Sequence, residues 1–215
     1  ALRPYLGKFK ITVGILKQHE EEYGVIKQIR AYLGDLVNVV ILDKLTKGPA
    51  ETVYKIINQA GIHPNTPILI KDCDSFFDHD LAGENFICIS TIQEHNILKK
   101  LSSKSFVISN NQGIIEDIIE KKVVSNTFCI GGYKFKSAKL YKTAFESCDI
   151  SNGEIFVSHV IQKCLDSNEI FIEKEVTNYS DVGTFSDWCD YNNKPTIFCD
   201  IDGTIIEAQI GRAHV

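Results

Sequence analysis

The sequence predicts an α/β fold in which a mostly parallel sheet carries helices on both faces. Apolar runs of strand length alternate with stretches of helical periodicity along almost the whole chain, which is typical of a sheet covered by helices. With 44% hydrophobic and 24% charged residues over 215 positions, the chain can bury one large core or two small ones. No apolar run reaches the roughly eighteen residues of a membrane span, and no segment resembles a secretory signal.

The predicted elements follow one another in a regular order. Apolar residues at helical spacing predict a helix over residues 18–33, and Gly34 stands where a C-terminal cap belongs. Pro49 lies just inside the start of the next helix. Strands are predicted over residues 9–15, 36–42, 67–70, 86–89, 105–108, 114–119, 127–135, 169–176 and 195–199. Further helices are predicted over 49–60, 137–147, 154–165 and 185–191, with an acidic loop at 72–80 and a turn at 110–113.

Net charge and cysteine content limit the kinds of partner and the cellular compartment to be expected. A formal net charge of −5 gives no electrostatic footprint for nucleic acid. The seven cysteines are scattered, without paired C-x-x-C spacing, which favours reduced thiols over disulfides or a zinc site. We therefore expect a cytoplasmic protein with no nucleic-acid or membrane partner, and the sequence leaves its oligomeric state open.

An apolar strand that ends in D-x-D-G-T lies near the end of the sequence. It contains Asp200, Asp202 and Thr204, and it resembles the first motif of haloacid-dehalogenase-type phosphatases. Side chains two positions apart in an extended segment share one face. The resemblance implies that Asp200 attacks phosphorus beside Mg²⁺, Asp202 handles the leaving-group proton and Thr204 binds phosphate. The alternative is an Asx-type turn after a core strand. Because only this first motif occurs, we expect no phosphatase activity here.

The composition of the two ends predicts a translated fragment of a longer gene. The sequence contains no methionine. Residues 210–215 can be encoded by ATC GGA AGA GCA CAC GTC, which resembles a short-read sequencing adapter. We therefore expect residues 209–215 to be a non-native tail; a natural polar tail is the alternative.

Four further segments resemble, in order, GT-A-like sugar-phosphate nucleotidyltransferases. They read T-K-G-P-A-E-T, P-I-L-I-K-D-C-D, E-K followed by S-N and G-G-Y-K-F, and Y-S-D-V-G-T, over residues 46–52, 67–74, 120–135 and 179–184. The resemblance implies a Rossmann-like GT-A fold. It also implies transfer of a nucleotidyl group from an NTP to a phosphorylated metabolite, most often a sugar 1-phosphate, with release of pyrophosphate.

The resemblance also assigns a role to each segment. The residues expected near the nucleotide stand at the start of a helix. They are Thr46, Gly48 and Ala50. Substrate contacts are Glu120, Lys121, Gly132, Tyr133 and Glu154, of which the two glutamates face the sugar and the lysine the phosphate. The ligands of a Mg²⁺ cofactor are Asp74 and Asp181, with Asp72 as a poorer third candidate. Magnesium takes one or two carboxylates plus phosphate oxygens and water, and ligand crevices of open α/β sheets lie at the carboxyl ends of strands.

Each of these residues also has a purely structural interpretation. The two aspartates at 72 and 74 can be solvated loop residues, and the glycines can serve turns. Lys121 can be a surface lysine beside Lys122, Glu154 can be a helix-start glutamate, and Tyr133 is expected to be partly core. The order of the four segments along the chain favours the functional interpretation.

The sequence departs from the resembled family at its front. The family's first strand and its Gly-rich G-x-G-x-R loop have no counterpart here, and that loop cradles the triphosphate. We therefore predict a nucleotidyltransferase domain over residues 1–191, inactive by itself, and the start of a phosphatase domain over 192–208. We also predict a break in the sheet between the strands at 9–15 and 67–70.

Two other functions remain open at this point. The D-x-D at Asp72 and Asp74 can be the metal motif of a glycosyltransferase, which uses an NDP-sugar instead of an NTP. A non-catalytic nucleotide-sensing subunit can also be built on this fold. For the leading function, coupling to a phosphatase on the same chain suits a short pathway to an activated surface-polysaccharide precursor.

Overall fold

A computed structural model describes residues 2, 5–78, 82–93, 101–151 and 153–193. The chain divides into two compact units, the first ending at Asp181 and the second beginning at Val182. The described strands are β1 (Ile11–Leu16), β2 (Val37–Leu42), β3 (Ile68–Lys71), β4 (Ser75–Asp78), β5 (Phe86–Thr91), β6 (Ser105–Ser109), β7 (Ile115–Glu120), β8 (Thr127–Phe135), β9 (Ile172–Glu175) and β10 (Thr177–Asp181). The described helices are α1 (Lys17–Tyr23), α2 (Val25–Leu33), α3 (Pro49–Gln59), α4 (Ala138–Glu146), α5 (Val157–Asp166) and, in the second unit, α6 (Phe185–Asn192). Within that part of the chain, no helix has the length and apolar character needed to cross a lipid bilayer.

Strand β8 organises the main sheet. It pairs antiparallel with β3, β5 and β6, while β5 pairs parallel with β9 and β6 pairs antiparallel with β7. Strands β1 and β2 form a separate parallel pair, and β4 and β10 form an antiparallel pair. The predicted α/β class is confirmed. The antiparallel pairings made by β8 and β10 are features that the sequence does not indicate.

Alternating side chains build one core on each face of the main sheet. Ile87 and Ile89 of β5 belong to a core that includes residues of helices α3, α4 and α5. Phe86 and Cys88 belong to the opposite core, where Phe77 of β4 is also buried. Successive strand residues point to opposite faces, so β5, buried along almost its whole length, supplies both cores and holds the sheet between them.

Four sequence predictions about single elements are wrong in detail. The helix predicted over residues 18–33 is two helices, because Gly24 has φ +58° and its amide closes α1 on the Glu20 carbonyl. The acidic loop contains strand β4, and the strand predicted over 169–176 starts later and continues as β10. Helix α5 begins at Val157, so Glu154 lies in the preceding segment instead of in the first helical turn.

Strands β1 and β3 belong to different sheets. β1 pairs with β2, and β3 pairs with β8. Among the described residues no strand joins the two, so the sheet is broken between them as the sequence predicts. The β1–β2 pair is held to the rest of the first unit mainly through helix α3.

Candidate functional site

The carboxylate of Asp72 lies directly against the backbone of strand β8. Strand β3 ends at Lys71, which pairs with Gly132, and the Asp72 amide donates to the Gly131 carbonyl at 2.8 Å. Gly131 has φ +85°, and a Cβ on it would stand 2.5 Å from Asp72 Oδ2. Glycine is therefore needed at position 131 both for its left-handed backbone and because the Asp72 side chain takes the space of a side chain.

Lys71 fixes the turn that follows Asp72. Its Nζ donates to the carbonyl of Asp72 at 3.4 Å and to that of Ser75, and it lies 4.3 Å from the centre of the Phe77 ring. Burial lowers the pKa of this ammonium. The turn leaves Asp74 exposed, whereas Asp72 is half-buried.

A β ladder brings Asp181 to the same place. Strands β4 and β10 run antiparallel, and Asp181 pairs with Ser75, the residue that follows Asp74. More than a hundred positions separate the two aspartates in the sequence. The ladder thus brings the segment of Asp181 beside the segment that contains Asp72 and Asp74. We call these three predicted metal ligands the acidic cluster.

Lys104 supplies a cation to this acidic cluster. Its Nζ donates to Asp181 Oδ2 at 2.6 Å and to Tyr179 Oη at 3.0 Å. The Lys104 and Asp181 side chains are each only 16% exposed. Burial by itself would lower the pKa of Lys104, but Tyr179 and Asp181 outweigh it and raise that pKa above its ordinary value. The ammonium therefore stays charged.

The Asp72 carboxyl responds to burial and to several charged neighbours. Burial, followed by the charge of Asp74, raises the pKa of Asp72 to about 6, and Glu120 adds to the rise. Lys71 and Lys104 act in the opposite direction. An acidic group whose charged form is disfavoured by burial and by a neighbouring carboxylate is typical of a place where a cation or a proton binds.

The segment predicted to lie near the nucleotide is anchored to the segment that contains Glu154. The Ala50 amide donates to the Ile155 carbonyl at 3.1 Å, and the Ile155 amide returns a bond of 2.7 Å to the carbonyl of Lys47. Gly48 has φ +136°, and a Cβ there would stand 2.8 Å from Glu154 Cγ. The structure therefore brings two of the predicted site segments into contact.

Hydrogen bonds hold Thr46 and Ala50 in place. Thr46 Oγ1 lies 2.7 Å from Thr52 Oγ1 and donates to the Gly48 carbonyl at 3.1 Å. Ala50 is fully buried, and its carbonyl accepts from the Tyr141 hydroxyl at 2.9 Å. The start of helix α3 is thus fixed by side chains from within the loop and from α4.

Glu120 and Lys121 contact residues of strand β6, of helix α5 and of the segment before α5. The Glu120 carboxylate accepts from the Ser158 hydroxyl at 2.5 Å and from that of Ser105. Lys121 Nζ lies 3.6 Å from Glu154 Oε2 and 4.0 Å from the centre of the Phe156 ring. Lys121 has φ +55°, an uncommon conformation for a residue with a side chain.

Two predicted substrate residues have packing positions. A Cβ on Gly132 would stand 2.7 Å from Phe77 and 2.8 Å from the Cys88 sulfur, so Gly132 faces a core. Tyr133 is buried, and burial followed by the charges of Cys129, Asp72 and Glu120 raises its pKa. Their contact with substrate stays a prediction.

The remaining predicted residues fall at or beyond the edge of the described chain. Asp200, Asp202 and Thr204 lie outside the described residues. In the second unit Thr184 caps helix α6, with its hydroxyl accepting from the Asp187 amide at 3.2 Å.

The donor set of the acidic cluster fits Mg²⁺. Among the described residues, no group of three or more His, Cys, Asp and Glu side chains is arranged to hold a metal ion. Magnesium, however, needs only one or two carboxylates when phosphates and water complete its shell. Asp181 already binds a cation, the Lys104 ammonium, and this ammonium is a stand-in that shows where positive charge is stabilised.

Three residues of this site are missed by sequence reasoning: Lys104, Ser105 and Ser158. They stand at the start of β6 and in the first turn of α5, where a lysine or serine has no distinctive local signal. The register Ser105↔Glu120 is what brings the first two to the predicted Glu120–Lys121 pair. Only the assembled sheet reveals them.

The fold of the chain is similar to those of several solved structures. A nucleoside-diphosphate-sugar pyrophosphorylase from Vibrio cholerae RC9 shows a TM-score of 0.71 at 13% identity, over 87% of this chain and 82% of that one. An inositol-1-phosphate CTP transferase from T. maritima shows 0.62 at 15% identity, over 82% and 71%. A UDP-glucose pyrophosphorylase solved with UDP-glucose shows 0.60 at 12% identity, over 84% and 78%. No protein-family model matches the chain, and no curated protein matches it in sequence. At these identities the likeness establishes the fold.

Proposed function

We propose that this chain carries the metal-binding and substrate-binding parts of a nucleotidyltransferase. The reaction transfers a nucleotidyl group from an NTP to a phosphorylated metabolite, a sugar 1-phosphate, and releases pyrophosphate. The observation that carries the proposal is the meeting of Asp181 with the segment of Asp72 and Asp74 through the β4–β10 ladder. The likeness in fold to proteins named as pyrophosphorylases and a CTP transferase supports it.

The chemistry asks the protein mainly for positioning. A phosphate oxygen of the sugar 1-phosphate forms a bond to the α-phosphorus of the NTP. The bond from that phosphorus to the bridging oxygen breaks, and pyrophosphate leaves with the electron pair. Asp74 and Asp181 would hold Mg²⁺ with Asp72 beside them, and the ion would neutralise charge on the phosphates.

The other predicted residues orient the two substrates. The backbone around Gly48, anchored to the segment of Glu154, would lie along the nucleotide. Lys121 would contact phosphate, and Glu120 and Glu154 would accept hydrogen bonds from sugar hydroxyls. Since Lys121 and Glu154 already form an ion pair, binding of a sugar phosphate would replace that pair with contacts to the ligand.

We further propose that this chain is part of a longer polypeptide and that transfer takes place in that polypeptide. This sequence lacks a counterpart of the Gly-rich loop that the resemblance expects, and that loop would hold the triphosphate. We propose that the parent also carries a phosphatase, marked by Asp200 and Asp202, and that the two activities supply a surface-polysaccharide precursor. The present chain would bind ligands without turnover.

Pyrophosphate release tests this proposal. The longer reading frame and the present chain would each be incubated with individual NTPs, a panel of sugar 1-phosphates and Mg²⁺. We expect release from the longer polypeptide with one preferred pair, and none from the present chain. Asp181→Asn should lower the rate by roughly a hundredfold or more, because one carboxylate of the metal site is lost.

A matched control separates this effect from a general loss of charge. Glu116→Gln removes an exposed carboxylate from strand β7 and should leave the rate unchanged. Absence of pyrophosphate with every pair, or full activity of Asp181→Asn, would refute the proposal. Nucleotide released from an NDP-sugar instead would favour a glycosyltransferase.

A further inference from the structure

The buried ion pair between Lys104 and Asp181 is the least expected contact of the site. Both side chains are only 16% exposed, and removing a lone charge from water is strongly unfavourable unless it is paired. Lys104 Nζ is held by two acceptors, Asp181 Oδ2 at 2.6 Å and Tyr179 Oη at 3.0 Å. The ammonium is therefore fixed in one position beside a carboxylate that the proposed function assigns to Mg²⁺.

The charge balance of the cluster explains why a cation is kept there. The charges of Asp74, Lys71 and Lys104 all act on Asp72, and those of Asp74 and Asp181 both act on Tyr179. Lys71 is engaged with backbone carbonyls of the turn. Lys104 is thus a cation that directly neutralises an acidic side chain of the cluster.

We propose that Lys104 is a resident cation that competes with Mg²⁺ for Asp181. In the absence of nucleotide the ammonium occupies the Asp181 carboxylate, so a divalent ion alone binds weakly. The phosphates of a bound NTP would give Lys104 a new partner, and Asp181 would then be available to hold a divalent ion. Lys104 is thus a positioning residue that makes metal binding depend on nucleotide. This inference rests on the metal site of the proposed function.

Mn²⁺ binding without nucleotide tests the proposal directly. The metal-free chain would be titrated with Mn²⁺, and electron paramagnetic resonance would measure the free ion. Lys104→Met should tighten binding at least tenfold, since a positive charge close to the ion is removed. Lys104→Arg keeps the charge and should bind Mn²⁺ as weakly as the unaltered chain. Lys139→Met removes an exposed lysine of α4 and should change nothing.

An uncharged polar variant provides a second test in case Lys104→Met does not fold. Lys104→Gln can still donate to Asp181 or Tyr179 but has no charge, so it should fold where Lys104→Met does not and should also bind Mn²⁺ more tightly. Circular dichroism would check the fold of each variant. Mn²⁺ affinity that is unchanged or weaker in a folded, uncharged variant would overturn the proposal.

The outcome for this inference is separable from that for the proposed function. Tightened Mn²⁺ binding in Lys104→Met together with no pyrophosphate release from the longer polypeptide would support the resident cation and refute the transfer reaction. Pyrophosphate release that depends on Asp181, with Mn²⁺ affinity insensitive to Lys104, would support the reaction and overturn the resident cation.

Discussion

Replacement of Gly131 by alanine tests the placement of Asp72 against strand β8. Gly131 has φ +85°, and an added Cβ would stand 2.5 Å from Asp72 Oδ2 and 2.8 Å from both its Cβ and its Cγ. All three distances are shorter than real Cβ contacts. The substitution must therefore move Asp72, strand β8 or both.

The expected loss of stability has two parts. A non-glycine residue in the left-handed region costs about 1–2 kcal/mol, and overpacking of a filled site costs about 1–3 kcal/mol. Gly131→Ala should therefore lower the free energy of unfolding by about 2–5 kcal/mol. For a chain of this length that corresponds to a fall in Tm of about 4–20 °C.

Gly153 provides a matched control for the first part. It has φ +87°, and nothing lies within 4 Å of a Cβ placed on it. Gly153→Ala should therefore lose only the backbone contribution. Urea denaturation of both variants, followed by circular dichroism, would measure the difference between them, which isolates the contact with Asp72.

Double variants test whether the Asp72 side chain causes the excess loss of stability in Gly131→Ala. Asp72→Gly removes all three close atoms and should recover most of the excess loss of Gly131→Ala. Asp72→Ala removes Oδ2 and Cγ but keeps the Cβ at 2.8 Å, so it should recover only part of that loss. If Gly131→Ala is no less stable than Gly153→Ala, Asp72 does not lie against Gly131 and the reasoning is refuted.

Three other features of the fold give measurable outcomes. Tyr141→Phe should lower the free energy of unfolding by about 1–2 kcal/mol, because the Ala50 carbonyl loses a buried donor; an unchanged urea midpoint would contradict this. Amides of the two-stranded β1–β2 pair should exchange with D₂O faster than those of β5 and β8, and mass spectrometry showing equal protection would contradict it. In metal-free buffer, stability should fall as pH rises from about 4 to about 6, because the folded-state pKa of Asp72, about 6, exceeds the unfolded value of about 3.9. Asp72→Asn should remove up to about 3 kcal/mol of this fall. The amount is smaller to the extent that solvent screens the half-buried carboxyl. A pH profile that Asp72→Asn leaves unaltered would refute the assignment of this fall to Asp72.

Much of the fold was open to prediction because local signals and tertiary structure agree. Helix α3 begins at Pro49 as predicted, since proline fixes the backbone of a first helical turn. Strand β8 has its predicted bounds because its apolar residues supply both cores. The prediction of one helix over residues 18–33 failed because a single residue ends it. Gly24 separates α1 from α2, although the apolar spacing continues across it.

The candidate site was predictable only as a set of separate segments. The resemblance selected Asp72, Asp74 and Asp181, and the structure places their segments together. Lys104 could not be found in this way, because its partner lies 77 positions away and one lysine before a strand resembles any other. A contact of that kind depends on how the strands pair, which no local pattern encodes.

The positions of the polar side chains in the site depend on the register of strand β6. Ser105 pairs with Glu120 in the β6–β7 ladder, so the Ser105 hydroxyl meets the Glu120 carboxylate, while Lys104, one position earlier, reaches Asp181. A slip of one residue would exchange the faces of all β6 side chains. It would also exchange Phe106 and Val107, which are fully buried in opposite cores. The hydrophobic residues of β6 therefore fix the register that directs its polar residues into the site.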